Sequence, residues 1–262
     1  MTRALAWRVE QACLDAWPAL RSVYHGDWLL RFGEGVSRRA NSVNPLHDRA
    51  ETIADDLAYF ARLYHSHGLP LIVRVPTLIA GAERIDRELD RQGFTSEGET
   101  CTLLRDFGSE HFAVDTSAAD TWATAPDITL APRADAEWLG AIARLQAQSP
   151  LHAAVYARVV DAIALPAGFL ALRRDGAVVA TAYGVVSGDL LVVESVVVDE
   201  TLRGQGLGRR LMQALFAWGI HNGAKAVCLQ VVADNVAGRA LYASLGFDQE
   251  LYRYCYRRAA QD

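Results

Sequence analysis

The residues best suited to chemistry lie between positions 196 and 209. They read Val196-Val197-Val198-Asp199-Glu200-Thr201-Leu202-Arg203-Gly204-Gln205-Gly206-Leu207-Gly208-Arg209. An apolar strand runs into a glycine-rich turn, and the turn opens a helix. Such a junction aims unpaired backbone N–H groups and the positive end of a helix dipole at one spot. That spot suits a phosphate or pyrophosphate, and glycines let the anion approach the backbone. Arg203 and Arg209 add positive charge. The dinucleotide fingerprint G-x-G-x-x-G is excluded, because Arg209 stands where the third glycine belongs. No G-x-x-x-x-G-K-[ST] run occurs either. A glycine-rich strand-to-helix turn without a ligand remains the alternative at this point.

A second group lies downstream. The strand-like run Val227-Cys228-Leu229-Gln230-Val231-Val232 precedes Asn235, Tyr242 follows Asn235 by seven residues, and Gly246-Phe247 closes the segment. The spacing R-x-x-G-x-G from Arg203 to Gly208, followed by this Asn–Tyr–Gly-Phe segment, resembles the two signatures of the GNAT superfamily of N-acetyltransferases.

The resemblance implies transfer of an acetyl group from acetyl-CoA, a co-substrate, to a primary amine of a small molecule or peptide by direct attack. The pyrophosphate would lie over Arg203, Gly204, Gln205, Gly206, Leu207, Gly208 and Arg209. Val196, Val197 and Val198 would pair with the pantetheine arm as an added strand. Asn235 would hydrogen-bond that arm or cap the following helix, for which asparagine is well suited. Tyr242 would act as general acid towards the leaving thiolate. Its ordinary pKa near 10, against about 8.5 for a thiol, makes full transfer uphill by about 2 kcal/mol, so a hydrogen bond to sulfur is the other possibility. A lysine-like amine loses its proton at pH 7 only at a cost of about 4.6 kcal/mol. Glu194, a carboxylate interrupting an otherwise apolar strand, is the candidate base. It stands nine residues before Arg203, where several GNAT enzymes carry such a glutamate. A cleft glutamate paired with an arginine is the alternative. Gln230 occupies a position where some relatives that acetylate protein N-termini carry a glutamate base, and glutamine cannot serve. Two other functions compete: a non-catalytic acyl-CoA-binding or regulatory module, and transfer of a longer acyl group.

The elements that must position these residues follow from periodicity. In the C-terminal part, strands are expected at Ile128–Leu130, Gly168–Arg173, Val178–Val186 and Leu190–Val198. Helices are expected over Ala134–Gln148, over His152–Ile163 and after the loop, where Leu207, Leu211, Leu215 and Trp218 form one stripe. The order β-α-α-β-β-β-α-β-α-β matches a GNAT domain.

The N-terminal part repeats some of this grammar. Strands are expected at Trp28–Gly33, Ser37–Val43, Leu69–Val75 and Thr100–Leu104, with helices over Arg49–His65 and Arg84–Gln92. Gly93-Phe94 mirrors Gly246-Phe247, and the arrangement resembles a bacterial tandem-GNAT family. The expected fold is an α/β (α+β) central mixed sheet flanked by helices. It divides into a degenerate GNAT-like domain over 1–115, a linker over 116–126 and a catalytic domain over 127–262. The first domain has no R-x-x-G-x-G, and Leu89 stands where Tyr242 does when both are counted back from the Gly-Phe pair. It is therefore expected to bind no acetyl-CoA. Asn41, Ser42 and Asn44 are either turn chemistry or groups that reach an acceptor cleft; His65 and His67 read as a helix C-terminus and Tyr183 as core.

The chain has 262 residues, a formal net charge of −5 and 51% apolar residues, which describes a globular protein with room for two domains. No basic excess marks a nucleic-acid or anionic-membrane footprint. Cys13, Cys101, Cys228 and Cys255 form no C-x-x-C pair, so no metal or redox motif is expected. The expected setting is the reducing cytoplasm. The expected state is a monomer, since a tandem arrangement satisfies internally a contact that single-domain relatives make by dimerising.

Overall fold

The computed structural model describes residues 2–47, 53–108 and 126–260. The predicted linker, apart from Pro126, lies outside the described residues, as does the start of the predicted Arg49–His65 helix.

The chain starts with a helix that the pattern reading missed, α1 (Arg3–Ala16). Its buried Ala6, Val9, Cys13 and Ala16 recur at helical spacing, so the signal was present. Strands β1 (Arg21–His25) and β2 (Trp28–Phe32) form a hairpin around Gly26. The predicted strand Ser37–Val43 is not one. Arg38–Ala40 is a 3-10 turn, and only Val43–Pro45 (β3) pairs with β2. The cause is local. Asn41 Oδ1 accepts from the N–H groups of Gly33 and Gly35, and its Nδ2 donates to the Ser37 carbonyl. Those bonds replace ladder bonds and curl the chain, as asparagine side chains do in turns. Helix α2 (Leu57–Ser66) follows, then β4 (Ile72–Pro76), α3 (Ala82–Arg91) and the long β5 (Thr95–Asp106).

The second part runs in the predicted order: β6 (Ile128–Ala131), α4 (Ala136–Leu145), α5 (Pro150–Asp161), β7 (Ala167–Arg174), β8 (Ala177–Ser187), β9 (Leu190–Val198), α6 (Leu207–His221), β10 (Ala226–Val232), α7 (Val236–Ser244) and β11 (Gln249–Arg258). Asp135 and Ser149 cap α4 and α5 by accepting from Trp138 N–H and His152 N–H.

The eleven strands of the described residues join one mixed sheet in the order β1-β2-β3-β4-β11-β5-β10-β9-β8-β7-β6. Two pairs are parallel, β3 with β4 and β9 with β10. The centre of the sheet is interleaved. β11 lies antiparallel to β4 and β5 lies antiparallel to β10, so each half takes its last strand from the other. One face of the C-terminal strands packs against α6, with Leu211, Leu215 and Phe216 fully buried. The other face is covered by α1, α4 and α5, where Val9 and Cys13 meet Trp138, Tyr156, Tyr183 and Val192. Tyr183 is a core residue there and donates its hydroxyl to the Ala16 carbonyl at 3.0 Å. The N-terminal helix of the chain thus completes the core of the C-terminal sheet.

No described helix is long and apolar enough to cross a membrane.

Candidate functional site

The site forms where β9 and β10 separate. Their parallel register runs from Leu190 opposite Ala226 to Val193 opposite Leu229 and stops there. Beyond it, β9 stays paired to β8 through Val197 and Val198, while β10 stays paired to β5 through Val231 and Val232. The fork leaves one backbone edge of Val196–Val198 without a strand partner. Such an edge offers N–H and C=O groups to any extended chain that enters.

A cavity of about 500 Å³ opens along that edge. Val196, Val197 and Val198 form one wall, the loop from Leu202 to Arg209 its end, and Asn235, Leu241 and Tyr242 the opposite wall. Gly204 and Gly206 sit at φ +77° and +78°, a backbone region that favours glycine, and a Cβ on either would meet nothing within 4 Å. Their role is conformational. Gly208 differs: a Cβ there would stand 3.2 Å from Leu241 Cδ2, so its bare backbone lets α6 approach α7. The first α6 bond that reaches back to the cap runs from Arg210 N–H to the Gly206 carbonyl, and no side chain caps the helix. The amides of Leu207, Gly208 and Arg209 are therefore the orphan donors of the helix N-terminus.

The side chains of the loop divide. Arg203 lines the cavity and has no hydrogen-bonded partner among the described residues. Arg209 also lines it, but its guanidinium donates to Ser244 Oγ at 2.8 Å. Gln205, predicted with this group, turns away and accepts from Arg174 Nη1 at 2.6 Å. Asn235 caps α7 by accepting from Gly238 N–H at 2.9 Å, and it lines the cavity as well.

Tyr242 is half-buried on α7, edge-on to Phe247. Its hydroxyl pKa is pushed up to about 12, first by burial and then by the negative charge of Glu194. Against a thiol near 8.5, complete proton transfer would cost about 5 kcal/mol. The group is suited to donating a hydrogen bond to sulfur rather than to surrendering its proton.

The next residues of β9 line a second cleft of about 450 Å³. A bulge separates the two cavities. Thr181 faces Val197 and Tyr183 faces Glu194, so β9 carries one extra residue, and Ser195 has φ +54°. A bulge re-aims side chains. Here both Glu194 and Ser195 border the cleft, and Tyr156 donates its hydroxyl to Ser195 Oγ at 2.7 Å.

Glu194 does not stand alone. Arg39, from the 3-10 turn of the N-terminal half, grips it with two bonds, Nη1 to Oε1 at 2.6 Å and Nη2 to Oε2 at 2.9 Å. The two side chains are only 18% and 7% exposed. Burial works against the arginine's charge, but the Glu194 carboxylate outweighs it and holds Arg39 protonated. The guanidinium also stacks over Trp17, 4.7 Å from the ring centroid. Buried Arg31 fastens the support, donating to the carbonyls of Leu14, Trp17 and Arg39. Gln230 stands across the fork and accepts from Tyr254 Oη at 3.1 Å and from Arg39 at 3.4 Å.

Pattern reading missed Arg39, Trp17 and Arg31. Arg39 sits 155 residues from Glu194, and its only local signal was an arginine pair in a turn. Asn41, Ser42 and Asn44 are buried and engaged in local hydrogen bonds, and none borders the cleft. Among the described residues no group of His, Cys, Asp and Glu can hold a metal ion. A larger groove of about 790 Å³, between Leu165, Phe169 and Trp218, contains none of the candidate residues.

Comparison with known proteins bears on this geometry. A family model described as "Probable histone acetyltransferase Rv0428c C-terminal" matches residues 5–256. The chain is 27% identical over 248 residues to a Bacillus subtilis protein described as "Uncharacterized N-acetyltransferase YobR", covering 92% of this chain and 93% of that one. A GCN5-related N-acetyltransferase from Kribbella flavida superposes with a TM-score of 0.65 at 17% identity, over 98% of this chain and 96% of that one. A tandem GNAT protein from the clavulanic acid biosynthesis pathway superposes with a TM-score of 0.63 at 14% identity, over 97% and 88%. At these identities the structural likeness concerns the fold.

Proposed function

The chain belongs to the Rv0428c C-terminal family of GNAT-type acetyltransferases, and from that premise we propose that it moves an acetyl group from acetyl-CoA to a primary amine by direct attack. The observation that carries this reading is the fork: an unpaired strand edge at Val196–Val198 leads into a loop of partnerless helix N-terminal amides. An extended amide-bearing arm and a pyrophosphate would find both partners at once.

The pantetheine arm pairs with Val196–Val198 and with Asn235. The pyrophosphate lies on the amides of Leu207–Arg209, with Arg203 beside it. The thioester then reaches the β9 bulge, where the two cavities adjoin. An amine in the cleft beyond gives its proton to Glu194 through a water and attacks the carbonyl carbon. The C–S bond breaks as the tetrahedral intermediate collapses, the extra proton on its nitrogen passes to the departing thiolate to give the thiol, and Tyr242 hydrogen-bonds that sulfur. Arg39 holds the Glu194 carboxylate in place beside the cleft. Residues 127–262 form the catalytic domain, 1–115 the degenerate one and 116–126 the linker. In the first domain Leu89 is fully buried in a core cluster, where the second presents Tyr242 to a cavity.

Calorimetric titration of acetyl-CoA into the full chain tests this reading. One site per chain is expected. Absence of binding would return the loop to plain architecture. Binding without thiol release to any amine would favour an acyl-CoA-binding module, and preference for a longer acyl-CoA would move the donor assignment.

A further inference from the structure

The acceptor cleft is unusual in its charge. Its charged lining side chains, apart from His152, are Arg38, Arg39 and Glu194. Each is already paired. Arg39 and Glu194 hold each other through two bonds, and Arg38 donates at 3.1 Å to Glu97, which lies outside the cleft lining and is shared with Arg258. Glu194 is the only carboxylate bordering the cleft among the described residues, and both of its oxygens face a guanidinium. Between these groups lie uncharged hydrogen-bonding side chains, Ser37, Thr100, Gln146 and Ser195.

We propose that Arg39 neutralises Glu194, the one carboxylate bordering the acceptor cleft among the described residues, so that the cleft selects a singly charged amine with an uncharged polar body over a polyamine. The inference rests on the acetyltransferase reading and deepens it by naming the acceptor class. The physical reason is the field of a tight ion pair. An isolated carboxylate attracts every ammonium on a substrate, whereas a bidentate pair cancels most of that attraction beyond its own length. One ammonium can still reach the open lone pairs of Glu194. A second or third ammonium finds no unpaired carboxylate and meets the Arg39 charge instead. Hydroxyls or amides on the substrate body find partners in Ser37, Thr100, Gln146 and Ser195. Arg39 is a specificity-determining residue here, and it acts through Glu194. The N-terminal half therefore decides which amine the C-terminal half acetylates.

The test is thiol release from acetyl-CoA by the full chain with three amines. D-glucosamine is a monoamine with hydroxyls, L-alaninamide a monoamine with an amide, and spermidine a polyamine. The better monoamine should exceed spermidine in kcat/KM by at least tenfold, and the choice between the two monoamines identifies the body. Arg39→Met keeps most of the side-chain volume but removes the charge. It should lower that ratio at least tenfold, chiefly through a smaller KM for spermidine. Arg39→Lys keeps the charge and should keep the preference. Spermidine preferred by the wild type, no turnover of either monoamine, or a Lys variant that shifts the ratio as far as Met would each overturn the proposal. Acetyl-CoA titration of the same samples separates the failures. A wild type that does not bind acetyl-CoA sinks both readings, whereas retained binding with spermidine preferred sinks this one alone.

Discussion

The molecule contains the same fork twice, and only one is open. In the C-terminal half, the last parallel pair is Val193 opposite Leu229, and the next residues are Glu194 and Gln230. In the N-terminal half the parallel pair is Val43 opposite Val73, and the next residues are Asn44 and Arg74. Glu194 and Gln230 border a cleft. Asn44 and Arg74 are buried, at 0% and 1% exposure. Asn44 donates to the Ser42 carbonyl, and Arg74 grips Glu10 of α1 with both of its terminal nitrogens. Tyr252 donates to the same carboxylate, and the Arg74 guanidinium lies 3.6 Å from the centroid of the Tyr254 ring. One fork is plugged by a buried ion pair and is core. The other turns its polar groups to a cleft. An identical strand arrangement is a site or a filling according to what stands just past the last paired residue.

That contrast can be broken or sharpened by experiment. The largest effect should come from the plug. Arg74→Met leaves Glu10 buried without its cation and should cost about 3–5 kcal/mol of stability in denaturant unfolding. The acetyl-CoA dissociation constant should stay within a few-fold. The same pair gives a pH sign. Burial alone would raise the Glu10 pKa, but Arg74 and Tyr252 outweigh it and hold it below the usual carboxylate range. Its stabilisation is therefore complete above the unfolded-state pKa near 4.3 and is lost as pH falls through the lower folded value. A midpoint that did not drop below about pH 4, or that dropped equally in Arg74→Met, would contradict this assignment.

The open fork should respond in activity instead. Glu194→Gln should lower kcat by about 100-fold with acetyl-CoA affinity retained, within the range for loss of a general base. Unchanged turnover would remove Glu194 from the chemistry. Gly206→Val forces a branched side chain to φ +78° and should weaken acetyl-CoA binding by about fivefold to thirtyfold, the equivalent of about 1–2 kcal/mol. The matching change at Gly93, also at positive φ but in the plugged half, should lower stability and leave that affinity alone. Tyr242→Phe should have the smallest effect, about tenfold in kcat, because a lost hydrogen bond to sulfur is worth about 1.4 kcal/mol. With the Tyr242 pKa near 12, wild-type turnover should show no alkaline decline from this group below about pH 10. A decline that Tyr242→Phe abolishes would make Tyr242 a true acid.

Some of this was legible in the residues. The C-terminal element order, the loop from Arg203 to Arg209 and the asparagine at the start of α7 all follow from neighbours in sequence. Val196–Val198 and Tyr242 line one cavity, whereas Gln205 turns outward to Arg174. The failures differ in range. Ser37–Val43 carried a strand-like pattern, yet the Asn41 side chain satisfied the backbone of Gly33 and Gly35 and curled the segment into a turn. Glu194 was visible as a charge in an apolar strand, but the guanidinium that answers it was not.

By itself the sequence determined what depends on spacing: a mixed α/β chain of the GNAT kind, a loop of amides, and a carboxylate and a tyrosine near it. Local bonds set those features, because turns, caps and helix stripes are made between residues a few positions apart. Only the tertiary structure decided who meets whom across the sheet. β5 and β11 change places, α1 covers the far half, Arg39 reaches Glu194, and Arg74 closes the other fork. The two ion pairs among them join residues 64 and 155 positions apart. No periodicity records them, since they are settled by which buried charge finds its partner when the two halves fold into one sheet.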